Sequence, residues 1–368
     1  MSQGPKLRVG LVVPPLPSPR HVGLELAIEG LAKGLHQLGH DVLLYTVVDP
    51  MRTKQWASQV AHAARAIHTA VGLEGELGGC DIVHDHTVAG LFVRNLHHRA
   101  PLVTTSYGPF DADPIPLYRR RPGDHVPLLA VSLHQYREEP ESVAVAAVIH
   151  PGIDVHSYTY RAKGAGYLVT FAPMAPDGGI VEAIEVAKAT NRALWIYSSI
   201  EGPAEHAYFH NVIRPLLGRN IQFADDLAAQ DRRDLLARAS ALIHAVTRDE
   251  AFNMAIVEAL ASGTPTVALK GVADEIIEHG EHGYLADDTS GLMRGVGNID
   301  RISRERCRRR AERYFDCREV AIHHEDFYRE VLDAEREDSD PSSSHHQRLR
   351  ASSSVDSIVP PSVAAHLP

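Results

Sequence analysis

Residues 250–265, Glu-Ala-Phe-Asn-Met-Ala-Ile-Val-Glu-Ala-Leu-Ala-Ser-Gly-Thr-Pro, decide how the rest of the chain is interpreted. Asn253 is a favourable N-cap, and the strong helix formers of residues 254–261 predict a helix. Gly263 predicts the end of that helix. The following Thr-Val-Ala-Leu of residues 266–269 is typical of a short buried strand. The stretch therefore predicts a loop, a helix and a turn into a strand.

Two carboxylates flank the first half of this helix. Glu250 lies in the loop before it, and Glu258 lies about one turn inside it. A helix N-terminus offers free amides and the positive end of the helix dipole, so the amides of Asn253, Met254 and Ala255 are candidates to face a phosphate. Carboxylates accept hydrogen bonds from sugar hydroxyls. The alternative is an amphipathic helix with two solvated glutamates, which an isolated Glu pair would favour.

Composition restricts the class of protein. The chain has 368 residues, enough for two domains, and its net charge of −10 argues against a non-specific nucleic-acid binder. The three cysteines, Cys80, Cys307 and Cys317, have no disulfide or metal spacing and fit a reducing cytosol. We expect a cytoplasmic protein, because neither a signal peptide nor an apolar run of about 20 residues is present. Peripheral membrane contact stays open.

Strands and helices alternate along the chain. Strand 7–13, helix 24–38 and strand 41–47 predict a βαβ unit. The alternation repeats after residues 161–166, which we interpret as an interdomain linker. Its second series is predicted at 167–171, 180–190, 194–197, 204–217, 221–224, 230–239 and 241–246. The pattern predicts an α/β protein with two consecutive doubly wound parallel sheets.

The Glu-x7-Glu stretch, the Gly-Thr-Pro-Thr-Val-Ala of residues 263–268 and the segment 271–280 resemble the retaining GT-B glycosyltransferases of family 4, and the resemblance extends over about residues 6–330. It implies two Rossmann-like domains that face a cleft, and a C-terminal helix that crosses back to the first. The implied divisions are an acceptor-binding domain at 1–160, a nucleotide-sugar-binding domain at 161–316, a crossover helix at 317–336 and a disordered tail at 337–368.

The resemblance also implies roles for the residues of the motif. Glu250 would contact the transferred sugar and steady an oxocarbenium-like transition state, while Glu258 would bind the ribose hydroxyls. The amides of Asn253, Met254 and Ala255 would face the diphosphate. A nucleotide-diphospho-sugar would be the co-substrate, with no metal or other cofactor. The acceptor would be a small molecule or a lipid-linked hydroxyl, and the loops 14–23 and 108–125 are the candidate acceptor loops.

The first domain departs from the family pattern at two points. Only Gly23 remains of a usual pair of glycines in the loop before the first helix, and Tyr107 stands where the family has a histidine. A tyrosine can hydrogen-bond a sugar hydroxyl but lacks the proton chemistry of imidazole near neutral pH. In the run His84-Asp85-His86, strand alternation puts the two histidines on one face and Asp85 on the other, which argues against a metal site.

The second domain lacks the two cations that grip the donor diphosphate in the family. Pro173 occupies the arginine position and Gly178 the lysine position. Arg248 and Lys270 flank the Glu helix and are the nearest candidates to replace them. The Arg-rich run 301–313 is interpreted as a solvated helix face.

Three functions fit this sequence. The first is a retaining glycosyltransferase, in which Glu250 and Tyr107 act on the sugar. The second is a catalytically degenerate homologue that binds a sugar nucleotide or a partner, as the lost cations suggest. The third, a GT-B enzyme without transfer activity such as a sugar-nucleotide epimerase, fits the fold but lacks its motifs. The fold alone does not decide among them.

Overall fold

The computed structural model describes residues 4–14, 22–47, 56–72, 75–87, 89–93, 100–108, 126–138, 145–225 and 227–338, without the side chains of 56–61 and 337–338. Two compact units divide the chain, Met1–Gly152 with Cys317–Pro368 (unit 1) and Ile153–Asp316 (unit 2). Most of the two predicted acceptor loops (residues 15–21 and 109–125) and the predicted tail beyond residue 338 lie outside the described residues.

Each unit contains one parallel sheet of six described strands. In unit 1 the order is β2-β1-β3-β4-β5-β6, and in unit 2 it is β12-β11-β10-β7-β8-β9. The strands of unit 1 are β1 Arg8–Val13, β2 Asp41–Thr46, β3 Ile82–Asp85, β4 Leu102–Ser106, β5 Leu128–Ala130 and β6 Val145–Val148. Those of unit 2 are β7 Leu168–Phe171, β8 Leu194–Tyr197, β9 Ile221–Ala224, β10 Ala241–His244, β11 Thr266–Leu269 and β12 Gly283–Ala286.

Helices alternate with these strands, as doubly wound folds require. The described α-helices are α1 Val22–Gln37, α2 Trp56–Val71, α3 Leu133–Glu138, α4 Ile180–Ala189, α5 Pro203–Tyr208, α6 Ala229–Arg238, α7 Met254–Ala261, α8 Ala273–Ile276, α9 Thr289–Asn298, α10 Arg304–Tyr314 and α11 Cys317–Asp338. The predicted α/β architecture with two parallel sheets is confirmed. None of the described helices is long and apolar enough to cross a bilayer.

The last helix, α11, belongs to unit 1. It packs along α1, and Val320, Phe327 and Tyr328 are part of the core beside the first sheet. The two helices approach closely at Gly34, where an added Cβ would lie 2.0 Å from the carbonyl oxygen of Cys317. A glycine is therefore required at this crossing. Helix α11 continues to Asp338, two residues beyond the predicted end at 336.

The division between the units falls between Gly152 and Ile153, earlier than the sequence predicts. Ile153 donates its amide to the carbonyl of Phe315 at 2.9 Å, which ties it to unit 2. The predicted linker 161–166 also lies inside unit 2. There the amide of Ala165 donates to the carbonyl of Arg238 at 2.6 Å. These long-range bonds are not visible in local composition, so the exposed run 161–166 resembled a linker.

Two other expectations differ from the structure. The predicted helix 204–217 is α5, then a π-helical turn at Phe209–Ile213 and a 3-10 turn at Arg214–Leu216. Pro215 lacks the amide that a continuous helix needs, so the regular helix stops short of it. The Arg-rich helix α10 is not simply a solvated face. Arg304 and Arg310 are buried, and both donate to backbone carbonyls, Arg304 to that of Ala239 and Arg310 to that of Ile276.

Candidate functional site

Polar side chains collect at the carboxyl edge of the sheet in unit 2, the edge where ligands bind in open α/β sheets. Strands β7, β8 and β10 end there with Phe171, Tyr197 and His244. Helix α7 follows β10 after the loop 245–253, which carries Glu250, and Glu258 lies inside the helix. We call the group formed by Tyr158, Arg232, His244, Glu250, Asn253 and Glu258 the glutamate edge.

The N-terminus of α7 is built as the sequence predicts. The side-chain oxygen of Asn253 accepts a hydrogen bond from the Ile256 amide at 3.1 Å, so Asn253 is the N-cap. Met254 and Ala255 are the first helical residues, and amides at these positions have no partner within a helix. At the other end, Gly263 has a positive φ of 73°, which favours glycine and ends the helix before β11.

Glu250 is held by two neighbours. Its Oε2 lies 3.2 Å from Nε2 of His244 and accepts from the side-chain amide of Asn253 at 2.9 Å. Burial by itself raises the pKa of Glu250, but His244, Asn253 and Arg248 outweigh it and lower that pKa overall. The Glu250 carboxylate is therefore ionised near neutral pH and fixed in orientation.

The two cations predicted to replace the lost pair lie in different surroundings. Arg248 places Nη2 3.8 Å from Oε1 of Glu250, so it adds positive charge beside that carboxylate. Lys270 instead pairs with Asp287 at 2.8 Å, and both side chains are more than half exposed. The structure thus brings Arg248 to the glutamate edge, while the Lys270 ammonium is engaged elsewhere.

Glu258 is almost fully buried, at 1 % exposure, and its carboxylate has protein partners on both oxygens. Arg232 of α6 donates to Oε1 from Nη1 and to Oε2 from Nη2, a bidentate pair. Tyr158 donates its hydroxyl to Oε1 at 2.9 Å. Sequence reasoning found Glu258 but neither of its partners.

The guanidinium of Arg232 lies against two aromatic rings. Its central carbon is 4.5 Å from the ring centre of Phe171 and 5.8 Å from that of Tyr197. Burial lowers the pKa of Arg232, and the Glu258 carboxylate more than offsets this, so the pKa is raised overall. Arg232 therefore brings a permanent positive charge to the carboxyl edge of the sheet.

In the loop after β7, glycine occupies the position where the family pattern has lysine, and the packing of this loop favours glycine there. A Cβ added at Gly178 would lie 2.1 Å from the carbonyl oxygen of Pro173. Gly179 has a φ of 74°, and a Cβ there would lie 2.0 Å from the Ala245 carbonyl oxygen. The loop is therefore packed so that neither position accepts a side chain without movement of the backbone.

A second polar group lies in unit 1, at the carboxyl ends of β3 and β4, and consists of His84, His86, Tyr107, His324 and Tyr328. We call it the histidine edge. As alternation predicts, His84 and His86 lie together, with ring centres 4.1 Å apart. The hydroxyl of Tyr107 lies 3.0 Å from Nδ1 of His86, and that of Tyr328 lies 2.7 Å from Nδ1 of His84.

The histidine edge is uncharged. Burial lowers the pKa of His86 to about 3 and that of His324 to about 4, and it lowers the pKa of His84 well below its usual value. Burial also raises the pKa of the Tyr107 hydroxyl. Asp85 lies on the other face of the strand, where Oδ2 accepts from the Gly90 amide at 2.7 Å. The sequence order His-Asp-His therefore does not give three neighbouring ligands.

Gly23 lies in a different setting from the one predicted. It is the second residue of α1, not part of a loop. The part of the loop that precedes it, residues 15–21, lies outside the described residues.

His244, Arg232 and Tyr158 were missed by the sequence reasoning. His244 had a usable signal, because it is a polar residue at the end of a predicted parallel strand. Arg232 and Tyr158 had none, since they reach the motif helix from distant points of the chain.

Comparison with known families adds a sequence-level match in unit 2. Residues 179–299 match the family model described as Glycosyl transferases group 1. This range contains Arg232, Glu250 and Glu258, and it ends after α9. No curated protein matches the chain.

Solved structures resemble the chain over most of its length. AviGT4, a glycosyltransferase involved in avilamycin A biosynthesis, is 21% identical, with 89% of this chain and 98% of that chain covered and a TM-score of 0.66. A glycosyltransferase from Rickettsia africae ESF-5 is 18% identical over 89% and 99%, with a TM-score of 0.69. Anabaena Alr3699/HepE, solved with UDP and glucose, is 19% identical over 88% and 100%, with a TM-score of 0.64.

Each of these identities is low, so the structural likeness establishes the fold, which is GT-B. The chain therefore has the GT-B fold, and its residues 179–299 resemble the glycosyl transferases of group 1 in sequence.

Proposed function

We propose that this protein is a retaining glycosyltransferase that moves a sugar from a nucleotide-diphospho-sugar to an acceptor hydroxyl. The observation that carries the proposal is the glutamate edge. An ionised, oriented Glu250 lies before the capped N-terminus of α7, and Glu258 lies inside the same helix. The Anabaena relative, which was solved with UDP and glucose and also with UDP-glucose, agrees with a nucleotide-sugar donor.

In the proposed reaction the bond between sugar C1 and the diphosphate oxygen breaks, and the nucleoside diphosphate leaves. The acceptor oxygen bonds to C1 on the same face, and its proton passes to the departing diphosphate. Glu250 hydrogen-bonds the sugar hydroxyls and stabilises positive charge that develops on the ring. The amides of Asn253, Met254 and Ala255 face the diphosphate, because helix N-termini favour anions.

The proposal also assigns roles to three further residues. Glu258 contacts the ribose, Arg248 adds positive charge near the donor, and Tyr107 hydrogen-bonds a sugar hydroxyl. The reaction as proposed uses no metal or other cofactor. The acceptor is a small molecule or a lipid-linked hydroxyl.

A first experiment titrates the purified protein with UDP, GDP and ADP and their common sugars, by calorimetry and thermal shift. We expect one nucleotide to bind and to raise the melting temperature. Glu250→Gln should then lower the rate of transfer from the matching nucleotide-sugar by on the order of a hundredfold, since a preorganised group at the developing charge is lost. Glu185→Gln, an exposed glutamate of α4, is the matched control.

The configuration at the sugar C1 of the product, read by NMR, tests retention directly. Inversion would contradict the proposed mechanism while leaving the glycosyltransferase assignment intact. Absence of binding by every nucleotide at millimolar concentration would contradict the donor site itself.

A second function, a degenerate homologue that binds a sugar nucleotide without transferring the sugar, is favoured by one observation. The lysine position of the family pattern, Gly178, lies against the Pro173 carbonyl, where a side chain does not fit without backbone movement. Tight nucleotide binding without transfer to any acceptor and without hydrolysis would support this second function.

A further inference from the structure

Glu258 offers only a small part of its carboxylate to a ligand. A carboxylate accepts about four hydrogen bonds. Oε1 accepts from Arg232 and from Tyr158, and Oε2 accepts from Arg232. About one acceptor direction is therefore left, and it belongs to Oε2. The direction of this remaining lone pair is set by the protein partners, chiefly by the bidentate arginine.

Arg232 is itself held in place and retains donors of its own. A guanidinium has five N–H donors, of which two point at Glu258. The Nε–H is buried and has no partner in the described part of the chain. One further N–H remains on each of Nη1 and Nη2. The side chain is 12 % exposed, and Phe171 covers one face of the guanidinium.

Glu258 and Arg232 together present one charge-assisted acceptor, on Oε2 of Glu258, and two charge-assisted donors, on Nη1 and Nη2 of Arg232, at the carboxyl edge of the sheet. This combination matches a vicinal diol, in which each hydroxyl donates one hydrogen bond and also accepts. The pair is electrically neutral, so it attracts a diphosphate less than a free arginine would. Of the parts of a nucleotide, the ribose is therefore the best match.

We propose that Arg232 is a specificity-determining residue for the ribose of the nucleotide. It positions Glu258 through the bidentate pair and donates to the oxygens of the same diol. This inference rests on the proposed function, and it adds a residue from α6, outside the glutamate motif. It also implies that the protein distinguishes a ribonucleotide from its 2′-deoxy counterpart.

The test measures dissociation constants by calorimetry for UDP, GDP and ADP and for the three 2′-deoxy counterparts. We expect the wild type to bind one ribonucleoside diphosphate at least about tenfold more tightly than its 2′-deoxy form, as one charge-assisted hydrogen bond provides. Arg232→Lys keeps the positive charge beside Glu258 but loses the two parallel hydrogen bonds. It should weaken the ribonucleotide about tenfold, change the 2′-deoxy form little and bring the ratio close to one.

Arg238→Lys is the matched control, because Arg238 is an exposed arginine of the same helix, and its ratio should equal that of the wild type. Tyr158→Phe serves as a second variant that removes one hydrogen bond without removing a charge. It should lower the ratio less than Arg232→Lys does, which keeps the proposal testable where Arg232→Lys folds poorly.

An unchanged ratio in Arg232→Lys or, where that variant does not fold, in Tyr158→Phe would overturn the proposal. If the ratio is unchanged because both nucleotides lose affinity equally, Arg232 acts at the diphosphate instead of the ribose. A wild type that binds a nucleotide without preferring ribose would overturn this inference and leave the proposed function intact. A wild type that binds no nucleotide would overturn the proposed function itself.

Discussion

The histidine edge of unit 1 and the glutamate edge of unit 2 occupy equivalent places in their own sheets, at the carboxyl ends of parallel strands. Their electrostatics are opposite in kind. In unit 2 carboxylates are paired with Arg232, Arg248 and His244. In unit 1 neutral imidazoles are hydrogen-bonded to hydroxyls, and burial lowers the pKa of each.

The difference shows how one fold provides two kinds of polar edge. A buried charged side chain is stable where a side chain of opposite charge lies beside it, as Arg232 lies beside Glu258. Part of the hydrogen-bonding capacity of this pair is not used within the described part of the protein and is open to a ligand. Most buried neutral polar groups have hydrogen-bond partners inside the protein, as both ring nitrogens of His84 do, whereas Nε2 of His86 is buried without a partner in the described part of the chain. We therefore expect changes of pH to affect mainly the histidine edge and changes of charge mainly the glutamate edge.

The largest expected effect is the pH dependence of unit 1. His84, His86 and His324 have folded pKa values far below about 6.5, the usual value for unfolded histidine. Below pH 6.5 the unfolded chain therefore binds more protons, and stability falls as pH falls. Between pH 7.5 and 5.5 each group removes on the order of 1 kcal/mol, so the three together remove several kcal/mol. The buried Asp85 carboxyl, whose pKa is raised, opposes the trend.

Unit 2 should lose less over the same interval. Its His282 has a pKa lowered to about 4 and contributes on the order of 1 kcal/mol by the same linkage. The lowered pKa of Glu250 matters only below its usual carboxyl range. Hydrogen exchange of strand peptides from each unit, corrected for intrinsic rates, measures the contrast. His324→Asn should reduce the dependence in unit 1, because one of the histidines with a lowered pKa is removed. Equal protection of unit 1 at both pH values would contradict the prediction.

The second effect concerns the charged pair of unit 2. Arg232→Met leaves the Glu258 carboxylate buried with Tyr158 as its remaining side-chain partner among the described residues. We expect a loss of about 3 kcal/mol in the free energy of unfolding, since breaking a buried ion pair strands a charge. Urea denaturation measures it. The double variant Arg232→Met, Glu258→Gln should recover part of the loss, because no buried charge remains. An unaltered unfolding midpoint in Arg232→Met would show that Arg232 and Glu258 do not form a buried ion pair.

A smaller effect tests the hydrogen bonds of the histidine edge. Tyr328→Phe removes the hydroxyl that lies 2.7 Å from Nδ1 of His84, and it leaves that buried nitrogen without this partner. We expect a loss of about 2 kcal/mol, the cost of one unsatisfied buried polar group. Tyr284→Phe, whose hydroxyl donates to the carbonyl of Asn298 in a partly buried setting, is the control and should lose less. A larger loss in the control would reverse the interpretation.

The smallest effect concerns the cap of α7. Asn253→Ala removes the acceptor of the Ile256 amide and the donor to Glu250, and we expect about 1 kcal/mol of lost stability. Asn253→Asp keeps the cap acceptor but places a second negative charge beside Glu250. Thermal melts of the two variants separate these contributions. Equal stability of the alanine variant and the wild type would mean that the cap is not needed.

The sequence alone was sufficient for the local elements of unit 2. Helix α7 and strands β8, β9 and β11 have the predicted bounds, because strong helix formers, a cap and apolar runs act over a few neighbouring residues. The strand β12 was not predicted. It is four residues long and begins with glycine, and its pairing with β11 is what makes it a strand.

The sequence by itself determined the α/β alternation and the capped glutamate helix, which depend on residue types at short spacing. The two cations missing from the loop after β7 are defined only by the resemblance to the family. Only the tertiary structure decided that Arg232 and Tyr158 bind Glu258, that His244 binds Glu250, and that Arg304 and Arg310 are buried. These contacts join residues whose spacing along the chain carries no local signal, because packing of the sheet and its helices creates them.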